Sequence, residues 1–202
     1  MIAITDYIQR FELLFAGMGR ERPWDLTGRV HRILQDKLAD LSSDFKIFDD
    51  VAIHKSANVD RHAIIKGPAI ISADCFVGAH AYLRGGVLLD EKVSIGPGCE
   101  VKSSLIFSQT ALGHFNFVGD SILGSGINLE AGAVIANHYN ERSDKNIPVL
   151  LDGKLHMTGC TKFGALVGDL TKIGANSVLS PGTILPPSSI VARLQLIDQA
   201  RM

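Results

Sequence analysis

The sequence has little cysteine, no long apolar run and no excess of charge of either sign. Its cysteines are Cys75, Cys99 and Cys160, an odd number without a Cys-x-x-Cys pair, which excludes a disulfide framework and a zinc knuckle. No apolar run approaches the roughly 20 residues that cross a bilayer, and the first residues lack the order of a signal peptide. A net charge of -1 offers nucleic acid no basic surface. We therefore expect a cytoplasmic protein that binds neither nucleic acid nor membranes.

The dominant feature of the sequence is an apolar residue at every sixth position, with a small or aliphatic residue four positions after it. The first series is Ile53, Val59, Ile65, Ile71, Val77, Leu83, Leu89, Ile95, Val101 and Phe107. The second series is Ala57, Ala63, Ala69, Cys75, Ala81, Val87, Val93, Cys99 and Leu105. A period of six suits a coil of three short flat strands, in which eighteen residues make one turn. The sequence therefore predicts a mostly β protein that folds as a single-stranded parallel β-helix.

The repeat is interrupted twice and is flanked by segments that lack it. A four-residue slip falls within 108–116, and a longer break at 137–162 contains Asp152-Gly153, which predicts a β-hairpin. The series resumes at Phe117, Leu123, Leu129 and Ile135, and again at Val167, Ile173, Leu179, Leu185 and Val191. Insertions in a solenoid project outward and often carry function.

Apolar residues at helical spacing in residues 1–48 predict an N-terminal helical segment. Such a segment fits the need of a solenoid for a cap at its end. We expect the β-helix to span 49–192 and residues 193–202 to form a C-terminal tail.

Two cations occupy equivalent positions of the repeat. Arg84 and Lys102 are eighteen residues apart, each directly after an inward residue, so we expect them to stack on neighbouring turns about 5 Å apart. Like charges at this distance repel each other, and a phosphate bound between them would remove the repulsion. The alternative is that both are solvated surface cations.

Four segments of the predicted coil form a recognisable set. They are Tyr82-Leu83-Arg84-Gly85-Gly86, Glu100-Val101-Lys102, Gly113-His114-Phe115-Asn116-Phe117-Val118-Gly119-Asp120 and Gly126-Ile127-Asn128-Leu129-Glu130-Ala131-Gly132. From about Val77 to Val191 the chain resembles the hexapeptide-repeat acyltransferase family. Within it, the chain is similar to the glucosamine-1-phosphate N-acetyltransferase domain of bifunctional N-acetylglucosamine-1-phosphate uridyltransferases and to archaeal-type sugar-phosphate nucleotidylyltransferases. This resemblance implies a left-handed coil and a homotrimer whose active sites form between neighbouring prisms.

The resemblance also implies acetyl transfer from acetyl-CoA to the amine of an amino-sugar phosphate such as glucosamine-1-phosphate, with no metal required. His114 is the implied general base, oriented by Glu100, because the amine must lose a proton near neutral pH. The implied substrate-binding residues are Arg84, Lys102, Phe117, Asn128 and Lys145. The implied acetyl-CoA residues are Ala131, Asn137, His138 and Ala165, although His138 could equally be structural. Backbone N–H groups near Ala131 or Ala165 would stabilise the oxyanion.

Two departures from the family leave other functions open. Phe117 stands where the family has a tyrosine that reaches the sugar, which removes one hydroxyl hydrogen bond. The nucleotidyltransferase domain that precedes this module in the bifunctional enzymes has no counterpart in the sequence. The alternatives are transfer to another sugar phosphate or nucleotide sugar, and a non-catalytic sugar-phosphate-binding or assembly module. A γ-type carbonic anhydrase has the same coil, but His80 and His114 lack an evident third histidine for zinc.

Overall fold

The chain begins with a short helical segment, which is followed by a long stack of short strands. A computed structural model describes residues 2–200. The N-terminal segment contains a 3-10 turn at Ile4–Asp6, helix α1 at Phe11–Leu14 and helix α2 at Pro23–Leu38. Proline at the first position of α2 has a backbone angle suited to the helix and forfeits no hydrogen bond there. No helix among residues 2–200 is long and apolar enough to cross a membrane.

The strands are short and follow one another at close intervals. In chain order they are β1 Phe45–Phe48, β2 Val51–His54, β3 Asn58–Val59, β4 Ile64–Ile65, β5 Ala69–Ile71, β6 Phe76–Val77, β7 Tyr82–Leu89, β8 Ser94–Ile95, β9 Glu100–Ile106, β10 Ala111–Leu112, β11 Phe117–Gly119, β12 Ile122–Leu123, β13 Asn128–Leu129, β14 Val134–Ile135, β15 Pro148–Leu151, β16 Lys154–Met157, β17 Ala165–Val167, β18 Lys172–Ile173, β19 Val178–Leu179, β20 Thr183–Leu185, β21 Ile190–Val191 and β22 Leu196–Ile197.

These strands stack in parallel to form the three faces of a prism. Face 1 contains β2, β5, β12, β17, β20 and the second halves of β7 and β9. Face 2 contains β3, β6, β8, β10, β13, β18 and β21. Face 3 contains β4, β11, β14, β19, β22 and the first halves of β7 and β9. The predicted parallel β-helix is therefore confirmed, and we call each of its turns a coil.

The interior of the prism is filled by the two series of repeat residues. Members of the two series that lie in this core and are completely shielded from solvent include Ile71, Val77, Leu83, Leu89, Ile95, Val101, Ala81, Val87 and Val93. At the N-terminal end, Ile53, Val59 and Ile65 pack against this core but are only partly buried. Each strand thus directs one side of its pleat inward, as alternation along an extended chain requires.

A bulge changes the repeat length near the middle of the prism. The register shifts between Arg84–Val87 of β7 and Lys102–Ser104 of β9, so that Gly85-Gly86 oppose only Ser103. Two residues facing one is the definition of a β-bulge. Between this bulge and the insertion at 137–162 each coil is one residue shorter, because the segment that rounds the corner from face 3 to face 1 has lost a residue. After the insertion the strands again pair at a spacing of 18 residues.

The shorter coil corrects the predicted positions of three residues. Leu105, Phe107 and Phe117 were expected inside the prism, but the inward residues are Ile106 and Val118. The prediction of a slip within 108–116 was also wrong, because that stretch contains the regular strand β10, which pairs with both β8 and β13. The 17-residue repeat was not anticipated, since a deletion at a corner leaves the apolar pattern almost intact.

Face 1 carries a second apolar surface on its outer side. One residue of each coil points outward there: Ala52, Ile70, Leu88, Leu105, Ile122, Leu166 and Ile184. The N-terminal segment covers this surface with Ile4, Ile8, Phe11, Phe15, Trp24, Leu26, Val30 and Leu34. The segment therefore lies along a side of the prism and buries an apolar surface there.

Polar contacts and one glycine fix the position of the segment on face 1. Arg10 Nε lies 3.2 Å from the buried Asp90 carboxylate, and the Asp169 N–H donates to the carbonyl of Tyr7 at 2.9 Å. Helix α2 passes so close to Gly86 that a Cβ there would lie 3.0 Å from the backbone of His31. Any side chain at position 86 would push α2 away from face 1.

The three cysteines differ in burial, so we expect them to differ in reactivity. Cys75 and Cys99 are each 1% exposed. Burial raises the pKa of the Cys75 thiol to about 11 and also raises the pKa of Cys99. Cys160 is only half-buried, with its Sγ 3.1 Å from Thr158 Oγ1.

We expect a thiol reagent at mildly alkaline pH to modify Cys160 in the folded protein, and Cys75 and Cys99 only after denaturation. The thiolate is the reactive form, and burial disfavours it. Mass spectrometry of alkylated peptides measures this pattern. Rapid labelling of Cys75 without denaturant would contradict it.

The two ends of the β-helix differ from the expected boundaries. Phe45–Phe48, expected within the helical segment, forms β1, which pairs antiparallel with β2. Residues 193–202 were expected to leave the coil, but Leu196–Ile197 pairs with β19 on face 3. Residues 201–202 of that predicted tail lie outside the described residues. Within the insertion at 137–162, β15 and β16 form the expected hairpin around Asp152-Gly153.

Candidate functional site

The two cations predicted to stack lie side by side on face 3. Arg84 of β7 and Lys102 of β9 are partners in the register of the two strands, which confirms the stacking. Both side chains are half-buried. In the next coil the partner of Lys102 is Gly119, so the surface below Lys102 carries no side chain.

Each cation has a carboxylate partner within the same chain. Glu100 Oε1 lies 2.6 Å from Arg84 Nη2 and 2.8 Å from Arg84 Nε. Asp120 Oδ2 lies 2.7 Å from Lys102 Nζ, in a pair whose side chains are only 8% and 15% exposed. Repulsion between the cations alone therefore does not require a bound anion. A guanidinium has five N–H donors and an ammonium three, so both still have donors for a phosphate.

The partner of Glu100 corrects its predicted role. Glu100 was expected to orient His114, but it forms its ion pair with Arg84. Among residues 2–200, no hydrogen bond to the His114 ring is present. Glu100 therefore holds the guanidinium in place and does not touch the candidate base.

Asp120 joins the residues predicted for substrate to those predicted for the coenzyme. It lies at the corner between faces 3 and 1, where it accepts hydrogen bonds from Lys102 Nζ and from Asn137 Nδ2. Asn137 Oδ1 in turn lies 3.1 Å from His138 Nδ1. Sequence reasoning quoted Asp120 as the end of a motif but gave it no role. Its position eighteen residues after Lys102, one predicted turn of the coil, was the available signal.

His114 lies at the opposite edge of face 3, on the corner between faces 2 and 3. Its side chain is exposed, and its carbonyl accepts the N–H of Gly132 at 2.8 Å, which places Ala131 beside it on the next coil. The Ala131 N–H has no hydrogen-bond partner among the described residues, and Ala131 as a whole residue is exposed. This corner thus presents an imidazole and a free backbone donor next to each other.

Phe117 lies on face 3, at the start of β11. It is the register partner of Glu100, and a Cβ on Gly119 would lie 2.9 Å from Phe117 Cζ and 2.8 Å from Asn137 Cγ. The ring therefore leans across Gly119 toward the Asp120 corner. Only a residue without a side chain fits at position 119.

The remaining predicted residues are more widely spread. Asn128 is exposed on face 2, opposite Ala111 and Lys172. Lys145 lies in the insertion and donates to the carbonyl of Asn140 at 2.7 Å. Ala165 is fully buried, and its N–H donates to Ser121 Oγ, so it is not free to bind an oxyanion. One chain therefore brings together the Arg84–Lys102 group and, separately, the His114–Ala131 pair.

Other charged groups lie outside these two sets. Glu130, next to Ala131, forms a two-pronged ion pair with Arg193, and this contact lowers the pKa of Glu130 to about 2. No group of three or more His, Cys, Asp or Glu side chains among residues 2–200 is arranged to hold a metal ion.

Comparison with known proteins places this fold in a class. Residues 47–139 match the profile of the GMPPB C-terminal domain. The chain shares 21% identity and a TM-score of 0.50 with a hexapeptide transferase family protein from Anaplasma phagocytophilum, covering 69% of this chain and 72% of that one. At this identity the likeness shows the fold. The protein is thus a hexapeptide-repeat β-helix protein.

Sequence relatives narrow the class further. The chain is 33% identical over 88% of its length to the bifunctional protein GlmU of Methanococcus vannielii, and 32% identical over 80% to a bifunctional sugar-1-phosphate nucleotidylyltransferase/acetyltransferase of Sulfurisphaera tokodaii. It spans 43% and 41% of the length of these relatives. The resemblance to the hexapeptide-repeat acyltransferases of sugar-phosphate metabolism is therefore confirmed.

Proposed function

We propose that this protein transfers an acetyl group from acetyl-CoA to the amine of an amino-sugar phosphate such as glucosamine-1-phosphate. The observation that carries the proposal is the in-register pair of Arg84 and Lys102, one coil from an exposed histidine, in a chain related to acetyltransferases. The cations would bind the phosphate, and the imidazole would receive the proton of the amine. Acetyl-CoA and free thiols both persist in the cytoplasm, so we propose that the protein is located there.

The reaction follows from the groups at the corner between faces 2 and 3. The sugar amine attacks the thioester carbonyl, so that a C–N bond forms, and its proton passes to His114. The negative charge that develops on the carbonyl oxygen is stabilised by the Ala131 N–H. When the C–S bond breaks, the sulfur of the coenzyme takes the proton back from His114. The coenzyme then leaves as the free thiol.

The two separate groups of residues support a homotrimer. The N-terminal segment covers face 1, whereas faces 2 and 3 and their shared corner expose large apolar side chains. These are Phe76, Ile190, Ile64, Leu196, Phe115 and Leu194. Large apolar side chains that are exposed on adjoining faces are consistent with an interaction site. We propose that a neighbouring prism packs there and supplies the partner group for each His114, which light scattering would detect as three times 21.8 kDa.

We expect the purified protein to release free coenzyme A thiol from acetyl-CoA when glucosamine-1-phosphate is present, and not without it. Because Cys160 would react with thiol-detecting dyes, mass spectrometry of the N-acetylated sugar should accompany the thiol assay. Omitting each substrate in turn provides the control.

One observation favours a second candidate function. The cations already have carboxylate partners, and Phe117 lacks a hydroxyl, as expected of a non-catalytic module that has kept the fold. If no amino-sugar phosphate is acetylated and coenzyme A does not bind, this second function replaces the first.

A further inference from the structure

The column of cations on face 3 is longer than the sequence motif that drew attention to it. Ile65 of β4 pairs with Leu83 of β7, so Lys66 lies beside Arg84 in the coil above, as Lys102 lies beside it in the coil below. The Lys66 N–H donates to the Leu83 carbonyl at 2.8 Å, which fixes this alignment. We call Lys66, Arg84 and Lys102 the cation column.

Lys66 differs from the other two members in having no carboxylate partner. Arg84 is paired with Glu100 and Lys102 with Asp120, but Lys66 forms no ion pair within residues 2–200. Its side chain is exposed, so the column ends in one uncompensated positive charge.

Tyr82 connects the upper two cations. Its ring centroid lies 5.4 Å from Lys66 Nζ and 5.6 Å from Arg84 Cζ. Both distances are within the range of cation–π attraction. The aromatic ring therefore holds Lys66 near Arg84 while leaving its ammonium donors available to another anion.

The direction of the column matters for the identity of that anion. His114 lies one coil below Lys102, and Ala131 lies one coil below His114. Lys66 is therefore at the end away from the predicted acetyl-CoA residues. In the proposed trimer, a ligand whose first phosphate meets Arg84 and Lys102 and whose amine reaches the His114 corner of the neighbouring prism would extend toward Lys66 at its far end.

We propose that the acceptor carries a second phosphoryl group, as a nucleoside diphosphate sugar does, and that Lys66 binds it while Tyr82 holds the lysine in position. Neighbouring coils are about 4.8 Å apart, so successive phosphoryl groups can meet successive cations. This proposal rests on the proposed acetyl transfer and specifies its substrate class.

The test compares UDP-glucosamine with glucosamine-1-phosphate as acceptors for the wild-type protein and for Lys66→Met. In the wild type, kcat/KM should be higher for UDP-glucosamine. In Lys66→Met, one charge-assisted hydrogen bond to UDP-glucosamine is lost. The kcat/KM for UDP-glucosamine, divided by that for glucosamine-1-phosphate, should therefore fall by about tenfold. Lys46→Met, which removes an exposed lysine from β1, is the matched control and should keep the wild-type ratio.

Binding provides an independent readout. Calorimetry should show that UDP binds more tightly than UMP, and that this difference is lost in Lys66→Met but not in Lys46→Met. If the wild type acetylates glucosamine-1-phosphate but prefers neither acceptor, the second phosphate site is wrong while acetyl transfer stands. A higher KM for acetyl-CoA in Lys66→Met, with the acceptor ratio unchanged, would assign the lysine to the coenzyme phosphates and overturn the proposal. If no acceptor is turned over, acetyl transfer fails, and the calorimetric comparison still decides whether Lys66 binds a second phosphate.

Discussion

Replacing His114 with alanine should lower kcat for acetyl transfer by about 10²- to 10⁴-fold, the usual contribution of a positioned general base. The His114 side chain is exposed on the corner between faces 2 and 3 and has no ring hydrogen bond within residues 2–200. Its removal therefore costs the fold little. The effect should fall on kcat, because the cations proposed to bind the phosphate lie elsewhere on face 3.

Two further variants separate proton transfer from simple shape. His114→Gln keeps a hydrogen-bonding side chain but cannot accept the proton, so it should be nearly as slow as His114→Ala. His80→Asn is the matched control, because His80 is an exposed histidine on the same corner and has a positive φ of 61° that asparagine tolerates. Near wild-type kcat in His114→Ala, with unchanged thermal unfolding, would remove the histidine from the mechanism.

The interior of the fold could be predicted from the sequence because it repeats. Each inward residue, such as Leu83 or Ile95, is repeated in the next coil, and a period of six has no other common explanation. The outer apolar surface of face 1 was missed, although residues such as Leu88 and Ile122 directly precede an inward residue. Adjacent apolar residues are consistent with burial on both sides of a strand, but they do not say which segment provides the cover.

The bulge at Gly85-Gly86 explains a second failure. A bulge is a choice of backbone register, and the apolar pattern around it can be read with either of two spacings. Reading it with the wrong one placed Phe117 inside the prism, whereas its ring lies on face 3.

The candidate site was only partly predictable for a related reason. Stacking of Arg84 on Lys102 follows directly from their spacing in the repeat. The pairings of these cations with Glu100 and Asp120 depend on side-chain directions across neighbouring coils. A linear motif contains no information about such directions, so the same motif suggested that Glu100 would serve His114.

Replacing Phe11 with alanine should lower the free energy of unfolding by about 3–5 kcal/mol, as expected for a large aromatic side chain removed from a core. Phe11 is fully buried between the N-terminal segment and face 1. Its ring centroid lies 5.3 Å from that of Phe15 and 5.7 Å from that of Phe107, which points outward from the coil. The variant therefore leaves a cavity at the junction of the two parts.

Urea unfolding measures this effect, and Leu13→Ala is its matched control in the same helix. The Leu13 side chain is 73% exposed, so its loss should change stability by less than about 0.5 kcal/mol. If the N-terminal segment and the prism unfold as one unit, Phe11→Ala should shift a single transition to lower urea concentration. If the N-terminal segment unfolds separately, an early transition should appear while the prism keeps its wild-type midpoint. In that case the outer surface of face 1 would become accessible without loss of the prism, and the segment would not be part of its cooperative core.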